Sequence, residues 1–528
     1  MSIIVTNIRT DYRASAPDVI SRALKSIGIS RKNTQYCGIF RESLDLRHGN
    51  ISKISSVEIA LSNHIDEVKI AEVNPSVYMK PQAFIPVVTG KKKLHSRPVV
   101  VGFGPAGMFA SLMLAERGFK PIVIERGSSI ENRDKDVKDF FDNRNLNIQS
   151  NIQFGEGGAG AYSDGKLTTR INDPLCQLVL DIFKLYGAPD EVIRLAKPHI
   201  GTDLLKGIVV SIRKRIEELG GQVLFNTSLI EINTIGDRLK SITTTNGTID
   251  TEVLILAIGH SARDTVKMLF DNGVEISPKA FSVGLRIEHL QSRVNRSVYG
   301  KYSELEDLPA GEYTLSAKPN NRGCYSFCMC PGGYVIAAAS EEGGVVTNGM
   351  SMHSRNGTNS NSAVCVSVTP DDFESNSALA GIDFQRKLEM AAFAHGGSNY
   401  SAPVQTVGDF LGGTKGTKPN SVKPTYPIGY NLVDFGEILP GFVTGTLKAS
   451  MPLFARRLSC FADQSAIFTG VETRTSSPVR IERNGAFDST RIKGIMPCGE
   501  GAGYAGGIMS AAVDGIKVAN AIMSEYFC

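Results

Sequence analysis

Apolar residues recur along this chain in two rhythms, and each change of rhythm marks a boundary. At the start, Ile3-Ile4-Val5 is a short β-branched run that predicts a strand. Val19, Ile20, Ala23, Leu24 and Ile27 then fall at helical spacing over 18–27, with Ser15 placed as N-cap three residues before Asp18. Alternation at 35–41, 54–61 and 68–73 predicts further strands, so residues 1–90 read as a small N-terminal α/β domain. A strand at 98–101 breaks into the glycine turn 102–107, an alanine- and leucine-rich helix covers 106–117, and a second apolar strand at 122–124 ends in Glu125. Helices are predicted at 130–143, 174–186 and 202–220, the last stopped by Gly220-Gly221. Strands follow at 222–225, 228–232, 239–245 and 253–258, with a turn signal at Asn246-Gly247. From 280 to 479 strands alternate with long loops: 281–288, 313–317, 323–330, 333–339 and 363–368 predict a mostly antiparallel sheet. Within that region 382–393 is a helix candidate and 412–427, rich in glycine, lysine and proline, a surface loop. The chain ends on a strand leading into Gly499-Glu500-Gly501 and a helical pattern over 510–524.

The order strand, glycine turn, helix, strand, acid over 97–127 is that of a dinucleotide-binding βαβ unit. Gly102 permits the tight turn, Gly104 lacks the Cβ that would keep a pyrophosphate from the backbone, and Gly107 lets helix and strand approach. Pro105 and Ala106 open the helix, whose N-terminal N–H groups and partial positive charge suit phosphates. Glu125, roughly twenty residues on, is placed to accept from a ribose diol, with Arg126 and Arg133 close by. A second glycine-rich run, QFGEGGAGAYSDGKL at 153–167, interleaves glycine with polar residues and reads as a further cofactor-contacting loop, through Gly157, Gly158, Ala159, Ser163 and Gly165. Leu229 and Gly259, beside strands of the same region, complete its contacts. His260 reads as a loop or cap histidine rather than a general base. The C-terminal turn fits the last element of a flavin-binding domain. Glu500 and Gly501 would lie near the ribityl or pyrophosphate region, and the N–H groups of Gly507 and Ile508 would face the flavin pyrimidine. Pairing this turn with 102–107 favours FAD over NAD, and within 280–479 no second GxGxxG follows a strand, which argues against a separate, stable NAD(P) domain.

The expected fold is α/β: a Rossmann-like FAD-binding domain of glutathione-reductase type, interrupted by a mostly antiparallel β-sheet substrate domain, plus a small N-terminal α+β domain. The boundaries are 1–90, 91–279 for the first part of the FAD domain, 280–479 for the substrate domain, and 480–528 for the last part of the FAD domain.

The runs GFGPAG (102–107), GEGGAGAYSDGKL (155–167), AIGHSARDT (257–265), GLRIEH (284–289), YSFCMCPGG (325–333), EEGGVVTNGMS (341–351), TGVETRTSSPVR (469–480) and GEGAGYAGGIMSAAVDGIKVA (499–519) resemble the bacterial family of uncharacterised FAD-dependent dehydrogenases, or NAD(P)/FAD-dependent oxidoreductases. More distantly they are similar to flavoproteins of the geranylgeranyl-reductase type. The resemblance covers nearly everything after residue 90. It implies one FAD per chain, a flavin domain interrupted by a substrate domain, and oxidoreductase activity on a substrate it does not define.

Composition narrows the partners. With 528 residues the length suggests about three domains. A net charge of +4 on such a chain points to neither nucleic acid nor membrane, and nine unevenly spaced cysteines fit reduced thiols in the cytoplasm. No secretory leader pattern opens the sequence. Among candidate chemical groups, Cys328 and Cys330 stand two apart on a predicted strand, which puts both sulfurs on one face. They read as a redox pair, a flavin-side nucleophile or two buried thiols. CxC alone does not read as zinc, no metal is expected, and the disulfide-reductase CxxxxC is absent near the first βαβ unit. Lys166 and Asp164 are placed to polarise flavin or substrate, while Arg286, His289, Glu472, Arg474 and Arg480 either bind an anionic substrate or form ion-paired supports. The expected function is hydride transfer through bound FAD to or from a small molecule, the flavin being reduced either by transiently bound NAD(P)H or by the substrate itself. Two alternatives are a flavoprotein that docks or modifies RNA through its N-terminal domain and Lys91–Lys93, and a flavin-binding protein without turnover.

Overall fold

The computed structural model describes residues 2–63, 65–80 and 89–528. The end of the expected N-terminal domain, 81–88, lies outside the described residues. Two compact units result: 1–86 with 166–200, and 87–165 with 201–528. Residues 166–200, which fall inside the 91–279 segment in sequence, therefore cluster with the N-terminal unit.

In that unit four antiparallel strands lie in the order Thr34–Asp45, Ser52–Leu61, Ile3–Asp11, Val77–Met79. Helices Ala16–Ser26 and Glu67–Val73 connect them, giving a split β-α-β-β-α-β arrangement. The predicted amphipathic helix forms and turns Val19, Ile20, Ala23 and Leu24 into a core shared with Ile3, Val5, Val57 and Ile59. Ser15 caps it in a reciprocal box: its hydroxyl accepts from Asp18 N, and the Asp18 carboxylate accepts from Ser15 N. The strand expected over 68–73 is instead the helix Glu67–Val73, because Asp66 accepts from the N–H groups of Val68 and Lys69 and nucleates a helical turn. Residues 166–200 supply helices Leu175–Leu185 and Glu191–Arg194, and Ala196 N donates to Glu42 O at 2.8 Å beside the outer strand.

The larger unit is built on a five-stranded parallel sheet ordered Ile495–Pro497, Leu254–Leu256, Val99–Val101, Ile122–Ile124, Gln222–Leu224. Its central strands carry unbroken apolar runs because both faces are covered. Helix Pro105–Glu116 is apolar on all sides and packs against Thr202–Glu218 and Ile508–Glu525. A three-stranded meander spans Leu229–Ile235, Arg238–Thr244 and Gly247–Asp250.

The 280–479 region forms a seven-stranded sheet, antiparallel except at one edge pair, centred on Phe281–Leu290 between Asn359–Val368 and Ile467–Glu472. The expected strand at 313–317 shrinks to Ser316–Ala317, paired with Cys324 and Tyr325. Helix Gly441–Arg457 covers part of this core and was hidden in sequence by Gly441, Gly445 and Pro452, which interrupt its period. Within the lysine run, Lys92–Lys93 is exposed and pairs in parallel with Tyr526–Phe527, and Lys92 Nζ meets Glu525 at 2.6 Å. Among the described residues no helix is long and apolar enough to cross a membrane.

Candidate cofactor-binding site

Four neighbouring strands of the parallel sheet end at the same edge, and each opens there into a glycine- or acid-bearing turn. After Val101 come Gly102 and Gly104, after Ile124 Glu125, after Leu256 Gly259, and after Pro497 Gly499 and Glu500. The carboxyl edge of a parallel sheet is where the chain leaves backbone N–H groups and helix N-termini without internal partners.

The glycines divide by what a side chain would meet. A Cβ on Gly107 would lie 1.9 Å from Gly102 O, and one on Gly102, at φ +95°, 2.4 Å from Ala257 O. Both are packing positions. On Gly104 the nearest atom would be Gly158 Cα at 3.7 Å, while Gly259, Gly506 and Gly507 have nothing within 4 Å. These are open positions where a ligand can approach the backbone. Gly104 is the N-cap of the helix begun by Pro105, Ala106 and Gly107, and Gly507 the N-cap of the helix begun by Ile508.

The second glycine run lies against the first. Gly157 N donates to Phe103 O at 2.9 Å, and a Cβ on Gly158 would stand 3.0 Å from Gly104 Cα. Ile508 closes on the same run, 3.2 Å from a Cβ at Gly160. Ala159 belongs to the short helical turn Gly158–Tyr162, and Ser163 ties the loop to itself by donating to Gly160 O and accepting from Gly165 N. Gly501 packs its backbone on Gly259, where a Cβ would be 2.4 Å from Gly259 O. Segments far apart in sequence thus form one continuous cradle.

Buried charges brace it. Glu125 accepts from Phe103 N (2.8 Å), Gly155 N (2.9 Å) and Gly127 N (3.0 Å), joining both glycine turns to its own strand. Three of the roughly four lone-pair directions of a carboxylate are then used, which leaves one for a ribose hydroxyl. Arg133 is wholly buried and donates to the carbonyls of Asn151, Ile152, Glu156 and Gly158, so it shapes the loop from behind. Arg126 pairs with Asp264 and stacks 4.5 Å from the centroid of Phe154. Leu229 puts its side chain into the apolar core with Val99, Ile124 and Leu254.

Two supports escaped the sequence reading. Glu156, fully buried, accepts from Ile130 N and Arg213 Nε. Asp514 accepts from Gly499 N at 2.7 Å while paired with Arg483, fixing the last turn. Glycine spacing was a visible signal, but nothing local marks which distant acid or arginine will anchor each turn.

Glu500 accepts weakly from Gly507 N at 3.3 Å, and removal from water pushes its carboxyl up to about 7 despite Lys279 nearby. His260 is 3.0 Å from Ser261 Oγ, and burial beside Arg474 and Arg263 drives it down to about 3, so it stays neutral.

Several of the other singled-out residues of this unit are held in buried pairs. Arg286 forms a two-pronged bond to Glu472 (2.6 and 2.9 Å) and donates to Asn361 Oδ1 and Cys328 O. Arg474 and Arg263 share Glu389, whose carboxyl is held far below its usual range by the two guanidinium groups. Asp164 is taken up by Ser351 and Arg355. Arg480 reaches Gly503 O, and burial pushes the enclosed His289 down to about 4. Cys330 is buried and Cys328 half-buried, and the Cys328 carbonyl accepts from both Arg286 and the Cys330 thiol. Lys166 belongs to the other unit, where it bridges His199.

The family described as "FAD-dependent protein, C-terminal domain-like" matches residues 280–475. An uncharacterised protein of Clostridium beijerinckii is 45% identical over 537 aligned positions, spanning all of this chain and 99% of its own. Among solved structures, glycine oxidase from Bacillus cereus aligns at 9% identity over 80% of this chain and 94% of its own, with a TM-score of 0.36. Glycine oxidase from Geobacillus kaustophilus aligns at 11% identity over 81% of this chain and 93% of its own, with a TM-score of 0.34.

Proposed function

The chain belongs to the family of FAD-dependent proteins, and on that premise we propose that it is an FAD-dependent oxidoreductase acting on a small-molecule substrate. The observation that carries the reading is the cradle, in which Gly104, Gly259, Gly506 and Gly507 stay open while Gly102, Gly107, Gly499, Gly501 and Gly503 are closed by packing. A long ligand with an anionic middle fits it, because two helix N-termini, at Pro105 and Ile508, point partial positive charge into the same cradle. On this reading Glu125 takes the ribose, Gly104–Gly107 with Gly157 and Gly158 the pyrophosphate, and Gly507 and Ile508 the flavin end. That is the binding mode of a glutathione-reductase-type flavin domain. FAD, when bound, supplies two-electron transfer chemistry.

The chain's own contribution is position and electrostatics. Arg133 and Glu125 hold the two glycine turns in register so that the backbone N–H groups need no rearrangement on binding. The N–H groups at the start of helix Ile508–Glu525 would favour negative charge on the ring they face. Glu500 is poised to hold or release a proton near neutral pH beside that turn.

The test is Gly104→Val. Its side chain enters the open cradle rather than the packed core, so we expect an unchanged circular dichroism spectrum with at least about a tenfold loss of bound FAD. Stoichiometric FAD in the folded variant would overturn the assignment.

A further inference from the structure

The strand Cys324–Cys330 carries one residue more than its partner. Between the pairs Phe327–Ala363 and Cys330–Asn361 it takes three steps where the neighbour takes two, which is a β-bulge. The extra residue is accommodated where Cys328 adopts φ +43°, left-handed backbone unusual for any residue but glycine. Met329 is packed in the apolar core, and the Cys330 thiol turns back to the Cys328 carbonyl. Arg286, itself fixed by Glu472 and Asn361, holds Cys328 O at 3.2 Å, and the Cys330 thiol donates to the same oxygen at 3.4 Å. The pair therefore has an inner member out of water and an outer member within reach of it. The two side chains interact directly, which together with burial keeps Cys330 a thiol at rest. Arg286 also reaches Asn348 Oδ1 at 3.4 Å, on the strand Thr347–Met350, and the following Ser351 bonds Asp164, which links the pair to the second glycine run of the cradle.

Bulges recur beside active sites because they re-aim a side chain, and local strain persists only where surrounding bonds over-determine it. Here a buried guanidinium with five hydrogen bonds does so.

We propose that Cys328 and Cys330 are a redox-active dithiol that carries two electrons from the bound flavin to a low-molecular-weight disulfide. The inference rests on the FAD reading above. Cys328, as thiolate, attacks one sulfur of the substrate disulfide, forming a mixed disulfide and releasing one substrate thiolate. Cys330 then attacks Cys328 Sγ, forming the internal disulfide and releasing the second, and the two cysteine protons end on the two substrate thiols. The internal disulfide is reopened by two electrons and one proton from reduced flavin and a second proton from water. Reduced nicotinamide is the reductant class that restores the flavin.

The test is an anaerobic dithionite titration of the purified holoprotein after oxidation with diamide. The native chain should take up about four electrons per FAD, and the variants Cys328→Ser and Cys330→Ser about two. Peptide mapping of the oxidised native chain should find the fragment bearing Cys328 and Cys330 lighter by two hydrogens and closed to alkylation until reduced. Reduction of the aromatic disulfide DTNB by nicotinamide should fall at least about a hundredfold in either variant. Two electrons per FAD in the native chain, with both cysteines freely alkylated after diamide, would overturn the dithiol while leaving the flavin reading intact. A purified chain with no FAD would overturn both readings.

Discussion

Glu125 shows how one carboxylate joins three segments of backbone at once. Its position at a strand end was legible from spacing, yet its three backbone donors come from Phe103, Gly127 and Gly155, which no sequence spacing relates. Glu500 is its counterpart at the other end of the cradle and leads to a pH prediction. Because burial keeps its proton on until about pH 7, raising the pH through that value adds a negative charge beside a site for an anionic ligand. FAD affinity should therefore fall about three- to tenfold from about pH 6 to about pH 8. Fluorescence titration of the apoprotein checks this, and Glu500→Gln should flatten the profile. An unchanged slope in that variant would assign the titration to another group.

At the scale of elements, the cradle depends on two helices in backbone contact. Pro105–Glu116 and Ile508–Glu525 approach so closely that a Cβ on Gly515 would lie 2.2 Å from Ala106 O. Gly515→Ala should cost about 1–3 kcal/mol, the usual penalty for overpacking, and more if the helices must part. The urea midpoint of the full chain measures it, and a stability within error of the native value would mean the helices slide freely. Sequence periodicity found both helices because each has a long apolar run that a single glycine, Gly107 or Gly515, does not interrupt. It missed Gly441–Arg457, which has two glycines and a proline and is helical through packing on the large sheet. It also took 68–73 for a strand, since Val68 and Ile70 alternate while the deciding cap, Asp66, lies outside the run.

For the whole molecule, the larger unit offers one parallel sheet with one glycine cradle at its carboxyl edge. Between 280 and 479 the sequence has no strand–GxGxxG–helix unit that would hold a nicotinamide permanently. If NAD(P)H is the electron source, it must bind transiently, and anaerobic mixing should bleach the yellow flavin band with a rate that saturates only at high nicotinamide concentration, about 0.1 mM or above. No bleaching with either NADH or NADPH would make the organic substrate itself the reductant.

The sequence by itself determined the local events: the βαβ unit, the glycine turns, the capped helix at Ala16–Ser26 and the alternating strands. These depend on residue type and period within a dozen positions, where propensity, capping and sterics act. Only the tertiary structure decided which glycines are open and which are closed by packing, and which acids brace them. It also decided that residues 166–200 cluster with the N-terminal unit and that a bulge turns Cys328 into left-handed backbone. Those outcomes depend on contacts between segments remote in the chain, and the free energy of such contacts belongs to the assembled surface rather than to any stretch of sequence.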